Sequence, residues 1–149
     1  MSFEERNTFT YLFISLLVAL LFGSRIYDGT LSGTFDGPEG LKVWARTLLW
    51  YIPAAIALTI AAVILVSIVY GMVTGDHDMS TDEDERDKSI GLRGARVTVF
   101  FLSLGWILCI ISLALGWTAL AALNLMLFFG WFADFAANLF KIYRYRRGF

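Results

Sequence analysis

Four long apolar runs alternate with short polar segments along the chain: Phe9–Ile26, Leu48–Val73, Val97–Leu115 and Thr118–Phe140. Each is long enough for a membrane crossing, since about 20 helical residues traverse the hydrocarbon core of a bilayer. The pattern predicts spans at about residues 9–27, 47–73, 96–115 and 118–141, in an all-α integral membrane four-helix bundle that forms a single transmembrane domain over residues 1–149.

The interruptions carry their own signals. Arg25 and Tyr27 close the first run at an interface. "DGTLSGTFDGPEG", Asp28 to Gly40, has turn chemistry and no apolar period, which predicts a loop of about 15 to 18 residues. The second span opens on an aromatic belt of Trp44, Trp50 and Tyr51, with Pro53 in its first turns, where a proline costs little. Tyr70 marks its far end, and Gly71 and Gly75 can break the helix there. Only "LGWTA" separates the third and fourth runs, so they form a tight antiparallel hairpin with Trp117 at the interface.

Most of the charge lies in one place, the linker 75–95 and the start of the third span, "STDEDERDKSIGLRGARV". Ser80 or Thr81 is a good N-cap, and Asp82 to Glu85 fill a first turn where the helix dipole favours anions. Asp82/Arg86 and Asp84/Lys88 have i,i+4 spacing. The helix begun at Asp82 runs on into span three, and Arg93 and Arg96 meet the headgroups. Asp84, Glu85, Arg86, Asp87, Arg93 and Arg96 thus form a charged collar. Gly91 and Gly94 each weaken that helix by roughly 1 kcal/mol relative to Ala, which marks a bend or hinge.

Alternating sides put the N-terminus, this linker and the C-terminus on one face. Nine cations stand there, Arg6, Arg86, Lys88, Arg93, Arg96, Lys141, Arg144, Arg146 and Arg147, against Arg25, Lys42 and Arg46 on the other. The positive-inside rule then makes both termini and the linker cytoplasmic, an N-in/C-in topology.

Composition narrows the function classes. A chain 58% hydrophobic and 17% charged, with mean hydropathy +0.66, leaves no length for a soluble catalytic domain. Its net charge of −1 and scattered bases argue against nucleic acid as a partner. "MSFEERNT" carries Glu4 and Glu5 against Arg6, unlike the basic start of a signal peptide, so the first run reads as a retained span. Cys109 is the single cysteine and reads as a small packing residue. The acids Asp28, Asp36 and Glu39 lack the alternation of a calcium loop, and Asp76, His77 and Asp78 read as a solvated charge run, so no metal is expected. With one histidine and no phosphate-binding glycine loop, neither a cofactor nor an enzyme is indicated.

Asp134 stands inside span four, where an ionised side chain costs roughly 2.5 to 3.5 kcal/mol at the helix centre. Asn138 lies one turn on and Asn124 nearby on the wheel, a polar stripe expected to face other helices. Three roles are open for the carboxylate: a proton or cation site, a partner for a bundle hydrogen bond or for Arg6, Arg93 or Arg96, or a contact with another chain. Small residues recur at Ser15, Ala19 and Gly23, at Ala57 and Ala61, at Ser67 and Gly71, and at Ser112 and Gly116, stripes that let helix backbones approach. Phe128, Phe129, Trp131, Phe132 and Phe135 crowd span four on nearly all sides, so some of them face lipid or a partner.

"DERDKSIGLRGAR", Asp84 to Arg96, together with the closing "YRYRRGF", resembles a family of uncharacterised small prokaryotic four-span membrane proteins, a domain of unknown function. That family carries a DER(D/E)xxI motif before its third span and a YRRG-like tail. Tyr145 to Gly148 fits the tail, and Gly94 departs from the pattern where a larger residue is expected. The resemblance implies a prokaryotic inner membrane and, from the helix-turn-helix regulators often encoded beside such proteins, a regulatory or accessory role; it supplies no catalytic residues. The expected function is therefore a non-enzymatic accessory, scaffolding or regulatory membrane protein whose partners are the lipid bilayer and another membrane protein or itself. The alternative is a small transporter or channel subunit that moves protons or cations through Asp134, Asn124 and Asn138.

Overall fold

A computed structural model describes residues 3–74 and 85–147. Its elements are α1 (Phe3–Val18), a π-helical turn (Ala19–Gly23), α2 (Ser24–Leu31), α3 (Gly40–Thr74), α4 (Glu85–Ala114) and α5 (Ala119–Arg147), with no strand among the described residues. Four helices, the first being Glu5–Leu31 taken through the π turn, are long and apolar enough to cross a membrane.

The helices run alternately up and down. Glu5 on α1 reaches Arg146 on α5 at one end, the termini end; Trp44 on α3 reaches Asn124 on α5 at the other, the loop end. α5 packs along α4, and α1 packs on both α5 and α3.

The connections differ from the expected ones in length. α2 continues to Leu31 and α3 starts at Gly40, so eight residues, 32–39, replace the long loop. Asp28 and Gly29, read as turn formers, are helical because the stop comes later. The Gly33 N–H bonds to Thr30 O and the Thr34 N–H to Gly29 O, with Gly33 at φ +71°, which closes α2 in a Schellman motif. Phe35 then folds back over Gly29, where a Cβ would come within 2.5 Å of its ring, and joins Ile26 and Trp44 in a small core.

The hairpin between α4 and α5 repeats the device. Gly116 N–H bonds to Leu113 O and Trp117 N–H to Ser112 O, with Gly116 at φ +84°. Gly116 is therefore a turn residue, not part of the packing stripe with Ser112. Thr118 caps the next helix by accepting the Ala121 N–H at its Oγ1, 3.2 Å away.

Three further expectations are corrected. Pro53 lies in the interior of α3, because that helix begins seven residues before the predicted span, and it leaves the Leu49 carbonyl without its helical donor. Gly71 does not break α3, which runs on to Thr74. α4 passes through Gly91 and Gly94 as one helix, with Gly94 packed against the Lys141 side chain. Ser80, Thr81 and Asp82 to Asp84, hence the predicted cap and both i,i+4 pairs, lie outside the described residues, as do Asp76, His77 and Asp78.

The tightest packing is the α4–α5 seam. Ile90, Gly94, Gly105, Cys109 and Ser112 are buried on α4, and Ala122, Ala133, Ala137 and Asn138 on α5. A Cβ on Gly105 would collide with the Phe129 side chain, and one on Gly94 would lie 2.6 Å from Lys141 Cε. Phe101 meets Phe132 edge to face at 5.0 Å. The predicted stripes fare differently: Ser15 and Ala19 are half-buried, whereas Gly23, Ala57 and Ala61 are exposed.

Candidate functional site

Polar chemistry gathers at the two ends of the bundle. At the termini end, Asn7, Thr8 and Thr10 are buried on the first turns of α1, and Asn138 is buried on α5. Thr10 satisfies its hydroxyl by donating to the Arg6 carbonyl at 3.1 Å. The Arg6 guanidinium stacks over the Tyr70 ring at 4.3 Å, which ties α1 to the end of α3. Arg146 Nε stands 3.5 Å from Glu5 Oε1, tying α5 to α1, and Arg86 Nη2 donates to the Tyr145 carbonyl at 3.2 Å, tying α4 to α5. Four helices are thus joined at one charged end.

The collar residues divide there. Glu85, Arg86, Arg93 and Arg96 are exposed on α4 and Asp87 is half-buried; Asp84 lies outside the described residues. Glu85 and Asp87 occupy the first turn of α4, where the dipole favours them.

At the loop end a second cluster links three helices. Trp44 Nε1 donates to Asn124 Oδ1 at 2.9 Å, Asn124 Nδ2 donates to Thr30 Oγ1 at 3.3 Å, and Thr30 donates on to the Ile26 carbonyl at 2.8 Å. Midway between the clusters, Trp131 Nε1 donates to the Ser15 carbonyl at 3.0 Å. Three of these bonds give a polar atom of α5 a partner on a different helix, the arrangement an apolar medium demands.

The predicted polar stripe therefore does not form one site. Asp134 accepts a hydrogen bond from Asn138 Nδ2 at 3.2 Å, but Asn124 sits ten residues earlier, about 15 Å along the helix, in the loop-end cluster. Asn138 is buried while Asp134 is exposed on the flank of α5, and the hydrogen bond between them lies within that helix.

At the loop itself Lys42 Nζ lies 2.7 Å from Glu39 Oε2, so one of the three loop carboxylates is ion-paired. Among the described residues no three His, Cys, Asp or Glu side chains cluster as metal ligands would.

Between α1, α2, α3 and α5 the bundle opens into an apolar cavity of about 860 Å³. Phe22, Ile26, Leu48, Ala55, Leu127 and Gly130 are among its walls, and the Trp44–Asn124–Thr30 cluster lies at one end. The volume is that of a small-molecule site.

Several of these residues escaped the sequence reading. Asn7 and Thr8 precede the predicted first span and Thr10 lies just inside it, where polar residues at the edge of an apolar run are a signal of helix contact. Gly105 was not among the predicted packing positions, although its helical spacing to Cys109 and Ser112, both expected to pack, marks the α4 seam. Nothing local marks Trp44 as the partner of Asn124, because eighty residues separate them.

No protein-family model, curated protein or solved structure matches the chain.

Proposed function

We propose that the chain is a multi-pass protein of a prokaryotic inner membrane, with both termini and the 75–95 linker in the cytoplasm. It acts without catalysis, as an accessory, scaffolding or regulatory subunit for another membrane protein or for a second copy of itself. Four long apolar helices in up-and-down order support the membrane reading, and the excess of Lys and Arg at the termini end supports the orientation. The likeness of Asp84 to Arg96 and of the tail to a small four-span family points the same way.

The observation that carries the reading is the joined charged end. Glu5 to Arg146, Arg6 to Tyr70 and Arg86 to the Tyr145 carbonyl hold four helices together there, while Glu85, Arg86, Arg93 and Arg96 remain exposed around the rim. An end joined in this way and ringed by exposed charges is a docking surface for a cytoplasmic segment of a partner. Asp134, exposed beside Asn138, extends that polar surface onto the flank of α5.

Extraction of the tagged protein from native membranes in mild detergent tests the reading, with the co-purifying species weighed by native mass spectrometry. A partner or second copy in fixed ratio, lost in Arg93→Glu/Arg96→Glu, is the expected result. A lone chain that carries protons or cations in liposomes, with flux abolished by Asp134→Asn, contradicts it.

A further inference from the structure

The docking role leaves the cavity unused, and the line of its α5 wall leads to a charge. On α5 the cavity is lined by Leu123, Leu127 and Gly130, which recur at helical spacing and so share one face of that helix. Asp134 follows Gly130 by one further turn on the same face, toward the termini end. The carboxylate therefore extends the α5 wall of the cavity.

The groove so formed is open to its surroundings and has room in it. Ile52, Leu127 and Phe128 in its walls are exposed, and a Cβ on Gly23 or Gly130 would meet nothing within 4 Å. At 1.5 Å per residue its α5 side, from Leu123 to Asp134, is about 16 Å long, or about three turns of a helix.

Asp134 identifies the occupant. Counted from Ala119 it lies about 22 Å along α5, inside a hydrocarbon core of about 30 Å. Its side chain is too short to reach the headgroups as a lysine or arginine does. It is exposed, and among the described residues its one hydrogen bond is to Asn138 on the same helix. Lys141, the next cation on α5, has its stem packed against Gly94 of α4. A carboxylate in that medium takes a cation as its partner, and a lipid chain has none to give. Any backbone that carries a cation to this depth is helical, because no other single segment satisfies its own polar groups there. A second copy of the chain does not supply one: no Lys or Arg occurs between Arg6 and Arg25, between Arg46 and Arg86, or between Arg96 and Lys141.

We propose that the groove seats a transmembrane helix of a different protein, which places a lysine or arginine against Asp134 and apolar side chains against Leu123, Leu127 and Gly130. The proposal rests on the accessory reading above and names the chemistry of the partner. Gly130 lets the two helix backbones approach closely, and the 3.2 Å bond from Asn138 holds the carboxylate in place for the incoming cation.

Energy transfer in vesicles decides it. The full chain, with a donor dye at its amino terminus, is mixed with acceptor-labelled leucine-alanine peptides of transmembrane length. These carry either one lysine, about five residues from the end of the apolar stretch, or leucine in its place. The lysine peptide is expected to associate about tenfold more tightly than the leucine peptide. That preference is expected to vanish in Asp134→Asn, which keeps the shape of the side chain. Association of the lysine peptide is also expected to weaken in Gly130→Leu, which fills open space in the groove and replaces a poor helix former. Equal association of the two peptides, or a preference that survives Asp134→Asn, overturns the site and leaves docking at the charged end standing. Protons or cations carried by the chain alone, in vesicles without peptide, overturn the accessory reading itself.

Discussion

The α4–α5 hairpin and α3 obey opposite rules. α3 is the most apolar of the four candidate spans, yet none of the residues in its most apolar stretch is buried. α5 is the least apolar, yet it contacts α4 along its length and packs on α1. Water would drive the oiliest helix to the centre. Where lipid replaces water that drive vanishes between helices, and close approach, satisfied polar atoms and shape decide who packs on whom. α5 has all three in Ala122, Ala133 and Ala137, in Asn124, Trp131 and Asn138, and in a partner helix hollowed at Gly94 and Gly105. α3 offers Leu49, Ile52, Ile56, Ile60 and Ile64 to its surroundings, and it is held mainly at its ends, by Trp44 and by Tyr70.

The largest contrast comes from adding bulk to each. Gly105→Leu forces a side chain into Phe129 and is expected to cost about 1–3 kcal/mol, seen as a lowered Tm in detergent. Ala57→Leu, on the exposed side of α3, is expected to leave Tm unchanged. An equal loss in both would mean that α3 is packed on that side too. Gly94→Ala should cost less than Gly105→Ala, because the atom it meets ends a flexible lysine stem that can swing aside.

A middle effect is expected at the loop end. Asn124→Leu removes the acceptor of Trp44 and the donor to Thr30, and should destabilise by about 1 kcal/mol while exposing α3 to limited proteolysis. Trp44→Phe should add little on top of it, and a double-mutant cycle measures that coupling. Full additivity would show that the bond contributes nothing.

The smallest effect belongs to Glu5 and Arg146. Glu5 is well covered, its side chain 16% exposed, but Arg146 is 68% exposed, and pairs open to solvent contribute about 0–1 kcal/mol. Glu5→Gln should shift Tm slightly at low salt and not at all at high salt. A large, salt-independent loss would place the pair in a dry interior.

How much of this was legible in the chain follows the same division. The four helices and the hairpin came from long apolar runs and from "LGWTA", features that depend on length alone. The boundaries of the first connection did not, because Asp28 and Gly29 have turn chemistry but the stop is set by a Schellman motif at Gly33 and by Phe35 folding back, both of which need the tertiary neighbours. Asn124, Asp134 and Asn138 stood out as polar residues in an apolar run. Their separation into a loop-end bond, an exposed carboxylate and a buried amide depends on which helices stand beside α5 at each depth. Pro53 was misplaced for a simpler reason: polar and aromatic residues at Lys42 to Arg46 hid the first turns of α3.

Spin labels at single cysteines in a Cys109→Ser background test the central contrast most directly, with collision rates to oxygen measured for the chain alone in lipid vesicles. High oxygen accessibility at positions 57 and 61 of α3 and low accessibility at positions 109 and 112 of α4 is the predicted result. Positions 57 and 61 as shielded as 112 would contradict it, and would mean that α3 is buried against protein rather than held at its ends in lipid.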